Sequence, residues 1–268
     1  MKRPSILVSN DDGPASPGVK ALIRSLSGFA DVIPVIPEGP RSSTSMSLTF
    51  HKPLRIREVK IAGRDGYVVS GSPADAVMVA LYKILKKKPV AMASGINIGD
   101  NTSLQDVFAS GTVQASIQSA FFGIPSVAFS LQIEEGVIFS PSEAFGHFTQ
   151  AAEHASRVME WVCKEGLPPG TDILNVNYPI NVSSSTRTVY TRLALKKYRN
   201  FVVERRDPRG RPYYWVWGHR MNRYAEGSDA RAVLQDGLVS VTPLRVDMST
   251  DSSGVAKLLE WLNQTSAS

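Results

Sequence analysis

Apolar residues fall in short runs that end in polar loops, and between those runs they recur at helical spacing, which predicts alternating strands and helices. Ile6 to Ser9 has the pattern of a buried strand and stops at Asn10-Asp11-Asp12-Gly13. Pro17 opens a helix on which Val19, Leu22, Ile23 and Leu26 share a face, and Asp31 to Ile36 is the next strand. These elements form a β-α-β unit whose right-handed crossover makes the strands parallel. The following stretch, EGPRSSTSMS, is too rich in Ser, Gly and Pro for a helix or a central strand and reads as a loop. Leu54 to Val59 and Tyr67 to Ser70 read as short antiparallel strands, and Ser72-Pro73 caps a helix running to about Lys86.

Farther on, Val90 to Ser94 is a strand that breaks into GINIGDN, Thr112 to Phe122 is helical, and Ser126 to Ser130 returns to strand. Ser140-Pro141-Ser142-Glu143 has capping-box spacing ahead of a long helix lined on one face by Ala144, Phe148, Ala151, Ala155, Val158 and Val162. With Ile173 to Val176 as another strand, the alternation through residue 180 predicts an α/β fold: a doubly wound, mostly parallel, Rossmann-like sheet with helices on both faces. The pattern then changes. Thr188 to Leu195 and Tyr213 to Trp217 read as strands of a protruding β-hairpin turning at Asp207-Pro208-Arg209-Gly210, with the arm at about 196–218. A two-stranded ribbon is marginal alone, so Tyr213, Trp215 and Trp217 point to a dimer interface, with packing on their own domain as the alternative. Leu238 to Val241 is a further strand, and Val255, Leu258, Leu259 and Leu262 make a C-terminal helix amphipathic. The expected organisation is a catalytic core at 1–180 and an oligomerisation part at 181–268.

Composition narrows the class without choosing the chemistry. At 268 residues, 43% hydrophobic and 20% charged, the chain is an ordinary globular protein, which excludes disorder, collagen and coiled coil. No apolar run approaches the ~18–20 residues of a membrane span, and MKRPSILVSNDDG meets Asp11 before a signal-peptide core forms, so the expectation is a soluble, cytoplasmic protein with no membrane partner. Cys163 is alone, which excludes an internal disulfide and a thiolate metal cluster. The net charge of +6 suits an anionic substrate or a nucleic-acid surface.

Ligands of an open parallel sheet bind beyond the carboxyl ends of its strands. Asn10 to Gly13, Arg41 to Ser47 and Gly95 to Asn101 all occupy such positions. Adjacent aspartates there would repel one another and be costly to desolvate without a cation between them, although Asp-Asp-Gly is also a good turn sequence. Oxygen ligands without nearby His or Cys suit Mg²⁺, Mn²⁺ or Ca²⁺ and disfavour zinc; His51, His147, His154 and His219 lie elsewhere. The Gly-rich loop and Ser110-Gly111-Thr112, where a helix would begin, supply N–H groups for a phosphate. Asp75 reads as a first-turn dipole partner, and Asp100 and Asp106 as solvated acids beside the loop. The turn after the first strand lacks G-x-G-x-x-G, which argues against a dinucleotide cofactor, and adjacency in place of Asp-x-Asp argues against a haloacid-dehalogenase-type phosphatase.

The ordered segments SNDDGPASPGVKAL, PEGPRSSTSMSLT, VSGSPADAV, ASGINIGDN, SGTVQAS, GIPSVAFS, DILNVNYP, TRL and SVTPLRVD cover most of the chain. Together they resemble the SurE survival-protein family of metal-dependent 5'/3'-nucleotidases. The resemblance implies hydrolysis of nucleoside monophosphates to nucleoside and phosphate, with exopolyphosphatase activity as a further possibility and nucleic-acid binding not required. It implies one divalent ion per subunit, Mg²⁺ or Mn²⁺, with Ca²⁺ able to occupy the site. The implied metal ligands are Asp11, Asp12, Ser42 and Asn97, and Asp11, Asp12, Asn10 and Asn101 carry the chemistry. Ser43, Ser110, Gly111 and Thr112 are implied to bind phosphate, and a homodimer or homotetramer is implied through C-terminal elements. The chain departs from the family's usual pattern at Ser72, Ala76 and Ser228. Two mechanisms stay open, attack by water or by Asp11 itself, and the competing function is a non-catalytic basic nucleic-acid-binding or stress-assembly protein.

Overall fold

The computed structural model describes residues 3–134, 148–250 and 253–265. Strands β1 (Ser5–Ser9), β2 (Asp31–Pro37), β3 (Ile56–Ile61), β4 (Arg64–Val69), β5 (Ala91–Ile98), β6 (Ser126–Leu131), β7 (Ile173–Tyr178), β8 (Thr188–Tyr190) and β11 (Val239–Leu244) form a nine-stranded sheet in the order β3-β4-β2-β1-β5-β6-β7-β11-β8. The run β4-β2-β1-β5-β6-β7 is parallel, while β3 and β11 are antiparallel to their neighbours β4 and β7. Ile6, Leu7 and Val8 are wholly buried because helices cover both faces, and each such side chain contributes roughly 1.5–3 kcal/mol. On one face the core joins Val19, Leu22 and Ile23 of α1 (Pro17–Leu26) to Phe148, Ala151, Ala155, Met159 and Val162 of α5 (Phe148–Glu165). On the other, α2 (Pro73–Val79) and α4 (Gly111–Ala120) bring in Ala76, Val77 and Ala115. The capping box read at Ser140 to Glu143, and Ala144, lie outside the described residues.

From β1 the chain moves to β2 on one side and later to β5 on the other, so the winding reverses between β1 and β5. That reversal opens the crevice in which doubly wound sheets bind ligands. β5 is longer than its apolar run: Gly95, Ile96 and Asn97 belong to the strand edge, with a register shift against β6 between Ser94 and Asn97. Such a bulge turns side chains toward a site. The helix expected to reach Lys86 ends sooner, α2 passing into a π-helical stretch Ala80–Ile84.

The hairpin differs from the expected pairing. Its strands are β9 (Tyr198–Arg206) and β10 (Pro212–Arg220), and Thr188–Tyr190 is β8 at the edge of the main sheet. The turn fixes this register: Asp207 Oδ1 accepts from the N–H groups of Arg209 and Arg211, so Pro212 pairs with Arg206 and Arg220 with Tyr198, leaving 191–195 outside the arm. Tyr213, Trp215 and Trp217 are 43%, 59% and 60% exposed, so the arm does not pack them on its own domain. The apolar residues Val255, Leu258, Leu259 and Leu262 of α7 (Ser253–Thr265) are exposed as well. Cys163 is half-buried against the core, and burial pushes its thiol up to about 11.

Candidate active site

β1 ends at Ser9 and hands the chain to a turn clamped by Asn10: its Nδ2 donates to the Gly13 carbonyl at 3.0 Å and its Oδ1 accepts from Gly13 N–H at 3.2 Å. With both ends of its amide committed, Asn10 shapes the turn and does not line the cavity beside it. Asp11 and Asp12 do line that cavity, of about 250 Å³, together with Ser42, Ser43, Asn97, Asn101 and Ser110. The predicted ligand and phosphate residues from three loops, far apart in sequence, therefore share one crevice, except Gly111 and Thr112, which lie beneath it.

Those two residues support Asp11. The Thr112 hydroxyl donates to Asp11 Oδ1, and the N–H groups of Gly111 and Thr112 at the start of α4 also favour its carboxylate. Only glycine fits at 111, since a Cβ there would come within 2.7 Å of Asp11 Cβ. Ser110 caps α4, its Oγ accepting from Val113 N–H at 3.2 Å. Ser42 and Ser43 sit in an exposed loop tied down at both ends: Arg41 N–H donates to the Asp11 carbonyl at 2.7 Å, and Ser45 N–H to the Ala109 carbonyl at 3.1 Å. Ser43 and Ser45 hold positive φ of 56°, a left-handed conformation that costs an L-residue energy and recurs at binding loops. Asp75 closes a capping box with Ser72 and also holds Thr49 through its N–H and hydroxyl, fixing the far end of that loop.

Asn97 Nδ2 donates to the Gly99 carbonyl at 2.7 Å, which commits its amide nitrogen and leaves Oδ1 as an acceptor. Asn101 is held by its neighbours, its N–H donating to Asn177 Oδ1 at 2.7 Å and its Nδ2 to Ser130 Oγ at 2.8 Å. Burial raises the Asp11 carboxyl above its ordinary range against these hydrogen bonds. Burial and the Asp11 charge push Asp12 up to about 7, although Ile98 N–H donates to Asp12 Oδ2 at 3.2 Å. Lysine and arginine in the cavity pair with other acids, so the Asp11-Asp12 pair lacks a counter-charge from the described residues.

A divalent cation fits this arrangement. The donors are all oxygens, two of them anionic and mutually repelling, and no third His, Cys, Asp or Glu joins them among the described residues. The rest of a coordination shell would come from neutral oxygens such as Ser42 Oγ and Asn97 Oδ1, a hard-ion donor set.

The structure corrects two acids and adds residues the sequence did not single out. Asp100 and Asp106, read as solvated, face the cavity and pair with Lys197, whose side chain is 3% exposed. Lys197, Tyr198 and Arg220, at the root of the hairpin, complete the cavity wall. Burial by itself would lower the Lys197 pKa, yet Asp100 and Asp106 outweigh it and hold the ammonium charged above the usual lysine range. Burial pushes Asp106 up to about 6 despite the lysine. Ser228, where the family pattern often has Thr, still caps α6 (Asp229–Leu234) by accepting from Arg231 N–H.

The raised carboxyls carry a stability consequence. In a chelator the folded protein holds a proton on Asp12 between its ordinary value of 3.8 and about 7, where the unfolded chain has lost it. Stability therefore falls as pH rises through that window. The urea midpoint in EDTA is expected to drop more between pH 5 and pH 8 for the parent than for Asp12→Asn; equal drops would contradict the assignment.

A crevice at the switch point of a doubly wound sheet, walled by adjacent carboxylates, neutral oxygens and the buried Lys197 cluster, is the ligand site of a Rossmann-like α/β enzyme. The profile of the family described as "Survival protein SurE" matches residues 6–200. The chain is 42% identical over 260 residues to "5'-nucleotidase SurE" of Methanothrix thermoacetophila, covering 95% of this chain and 98% of that one. It is 41% identical over 239 residues to the protein of that name from Thermofilum pendens, covering 89% of each. The crystal structure of SurE protein from Aquifex aeolicus superposes with a TM-score of 0.80 at 35% identity, covering 97% of this chain and 100% of that one. The chain belongs to the SurE family.

Proposed function

We propose that this protein is a divalent-metal-dependent 5'-nucleotidase that hydrolyses nucleoside monophosphates to nucleoside and inorganic phosphate. The observation that carries the reading is the adjacent Asp11-Asp12 pair, Asp11 buried and Asp12 half-buried, sharing one crevice with Ser42, Asn97 and the helix-cap loop at Ser110, in a chain whose curated relatives are named 5'-nucleotidases. In this reading Asp11, Asp12, Ser42 and Asn97 hold the ion, Mg²⁺ or Mn²⁺ with Ca²⁺ able to occupy the site. When bound, the ion would polarise a phosphate oxygen and lower the pKa of a water.

The chain's own groups do the remainder. The hydroxyls of Ser43 and Ser110 and the second amide hydrogen of Asn101 orient the phosphoryl group, where each preorganised donor is worth roughly 3–4 kcal/mol on the transition state. Gly111 and Thr112 hold Asp11 in place, and Asn10 holds the turn. The carboxylate oxygen of Asp11 or Asp12 left spare by the ion would accept the proton of the attacking water. Residues 1–180 form the catalytic core and 181–268 the assembly part of a homodimer or homotetramer, although Lys197 and Arg220 also wall the site. No described helix is long and apolar enough to cross a membrane, and we place the protein in the cytoplasm.

A phosphate-release screen of nucleoside 5'- and 3'-monophosphates and polyphosphate with Mg²⁺, Mn²⁺, Ca²⁺ or EDTA tests this. Turnover of at least one 5'-monophosphate with Mg²⁺ or Mn²⁺, abolished by EDTA, is expected. No release from any nucleotide with any ion would overturn the proposal.

A further inference from the structure

Lys197 Nζ donates to Asp100 Oδ1 at 2.8 Å and to the Asp100 carbonyl at 3.2 Å, and it pairs with Asp106 as well. Arg220 Nη2, at the end of β10, lies 3.9 Å from the other Asp100 oxygen, and the Thr102 hydroxyl donates to Oδ1 at 2.5 Å. The Lys197 carbonyl is itself fixed, accepting from Met221 N–H at 3.0 Å and Tyr224 Oη at 3.3 Å. One ammonium thus joins the hairpin root to a loop 97 residues earlier in the chain. That loop runs on from the end of β5, where Asn97 sits, and carries Asn101 beyond the Gly99-Asp100 link. A parallel clamp runs beside it, Asp229 accepting from Ser103 N–H and from Ala194 N–H, each at 2.8 Å.

Stability alone does not account for such a triad, because a buried ion pair roughly breaks even against apolar packing of the same volume. A triad of this kind sets the register of the segments it joins, and here those segments are two walls of the phosphate crevice.

We propose that Lys197 is a positioning residue for the phosphatase reaction, holding the 97–101 segment, the end of β5 and the loop after it, at the distance from Asp11 and Asp12 that lets Asn97 complete the metal shell. This rests on the ligand assignment under the proposed function. Support shells of this kind typically change metal affinity or activity by about 10–100-fold when removed.

The test is Mn²⁺ binding by electron paramagnetic resonance, in about 0.3 M KCl to screen long-range charge. It compares the parent with Lys197→Met and with the neutral variant Lys197→Met/Asp100→Asn/Asp106→Asn. Charge alone would tighten Mn²⁺ binding in the first, which gains net negative charge, and weaken it in the second. Positioning weakens it in both, by about tenfold or more, and lowers kcat about tenfold while KM stays within about threefold. Should Lys197→Met not fold because its acids are left unpaired, Lys197→Met/Asp106→Asn decides, since it keeps the parent's net charge at the three positions and charge alone then leaves Mn²⁺ binding unchanged. Parent-like or tighter Mn²⁺ binding in any folded variant overturns the inference. Failure of the nucleotidase reading looks different: the parent then releases no phosphate, while the Mn²⁺ comparison still stands or falls by itself.

Discussion

Asp11→Asn is expected to cut kcat/KM for a nucleoside 5'-monophosphate by at least about 10³-fold, roughly 4 kcal/mol of transition-state stabilisation, with the fold intact. The amide keeps the carboxylate's shape and can still accept from Thr112 while removing one of the two charges that would face the proposed cation. Asp12→Asn should lose a comparable factor, because the other acids described in the crevice wall, Asp100 and Asp106, are held by Lys197. Both variants should gain stability in EDTA at pH 8, since each relieves the repulsion of two adjacent carboxylates poorly solvated at the crevice. Asp65→Asn, at a side chain 91% exposed and paired with Lys60 at the surface, serves as the control and should match the parent. Full activity of either site variant at ordinary metal concentration would remove that acid from the mechanism.

The second large effect is on stability. Gly18→Ala is expected to destabilise the protein by roughly 3–5 kcal/mol and to lower Tm by about 10 °C. Glycine to alanine inside a helix is ordinarily favourable by about 1 kcal/mol. Here the new Cβ would fall 1.9 Å from the Ile96 carbonyl oxygen and 3.0 Å from the Phe148 ring, and the first of those is backbone that cannot turn aside. The approach of α1 to the bulged end of β5 sets where Asn97 emerges, so any folded Gly18→Ala protein should also bind Mn²⁺ more weakly. A Tm at or above the parent's would show that α1 and β5 are not held this close.

Much of this was legible in the sequence because the strands are buried on both faces and so read as continuous apolar runs that stop at their functional loops. Ile6–Ser9 followed by Asn-Asp-Asp-Gly is the clearest case, and it placed both acids at the switch point. Short elements escaped: α3 (Leu104–Ala109) has six residues, too few for a helical period to show. The hairpin's first strand was misplaced because Thr188 to Leu195 alternates as well as Tyr198–Arg206 does, and only the hydrogen bonding of Asp207 fixes the register. Lys197 and Arg220 had no local signal. Each sits in a basic stretch that resembles a solvated face, and their partners lie about a hundred residues away, so their burial is a property of the tertiary fold alone. Asp229, next to Ser228, drew no reading of its own from the sequence, whereas its two backbone contacts explain what an acid does there.

Anomalous diffraction from crystals soaked in Mn²⁺ tests the central assignment most directly. The prediction is a single strong peak per chain within about 2.0–2.4 Å of a carboxylate oxygen from each of Asp11 and Asp12, with Asn97 Oδ1 and Ser42 Oγ completing the protein ligands. A peak elsewhere, or none at those two side chains under conditions where the enzyme turns over, would contradict it.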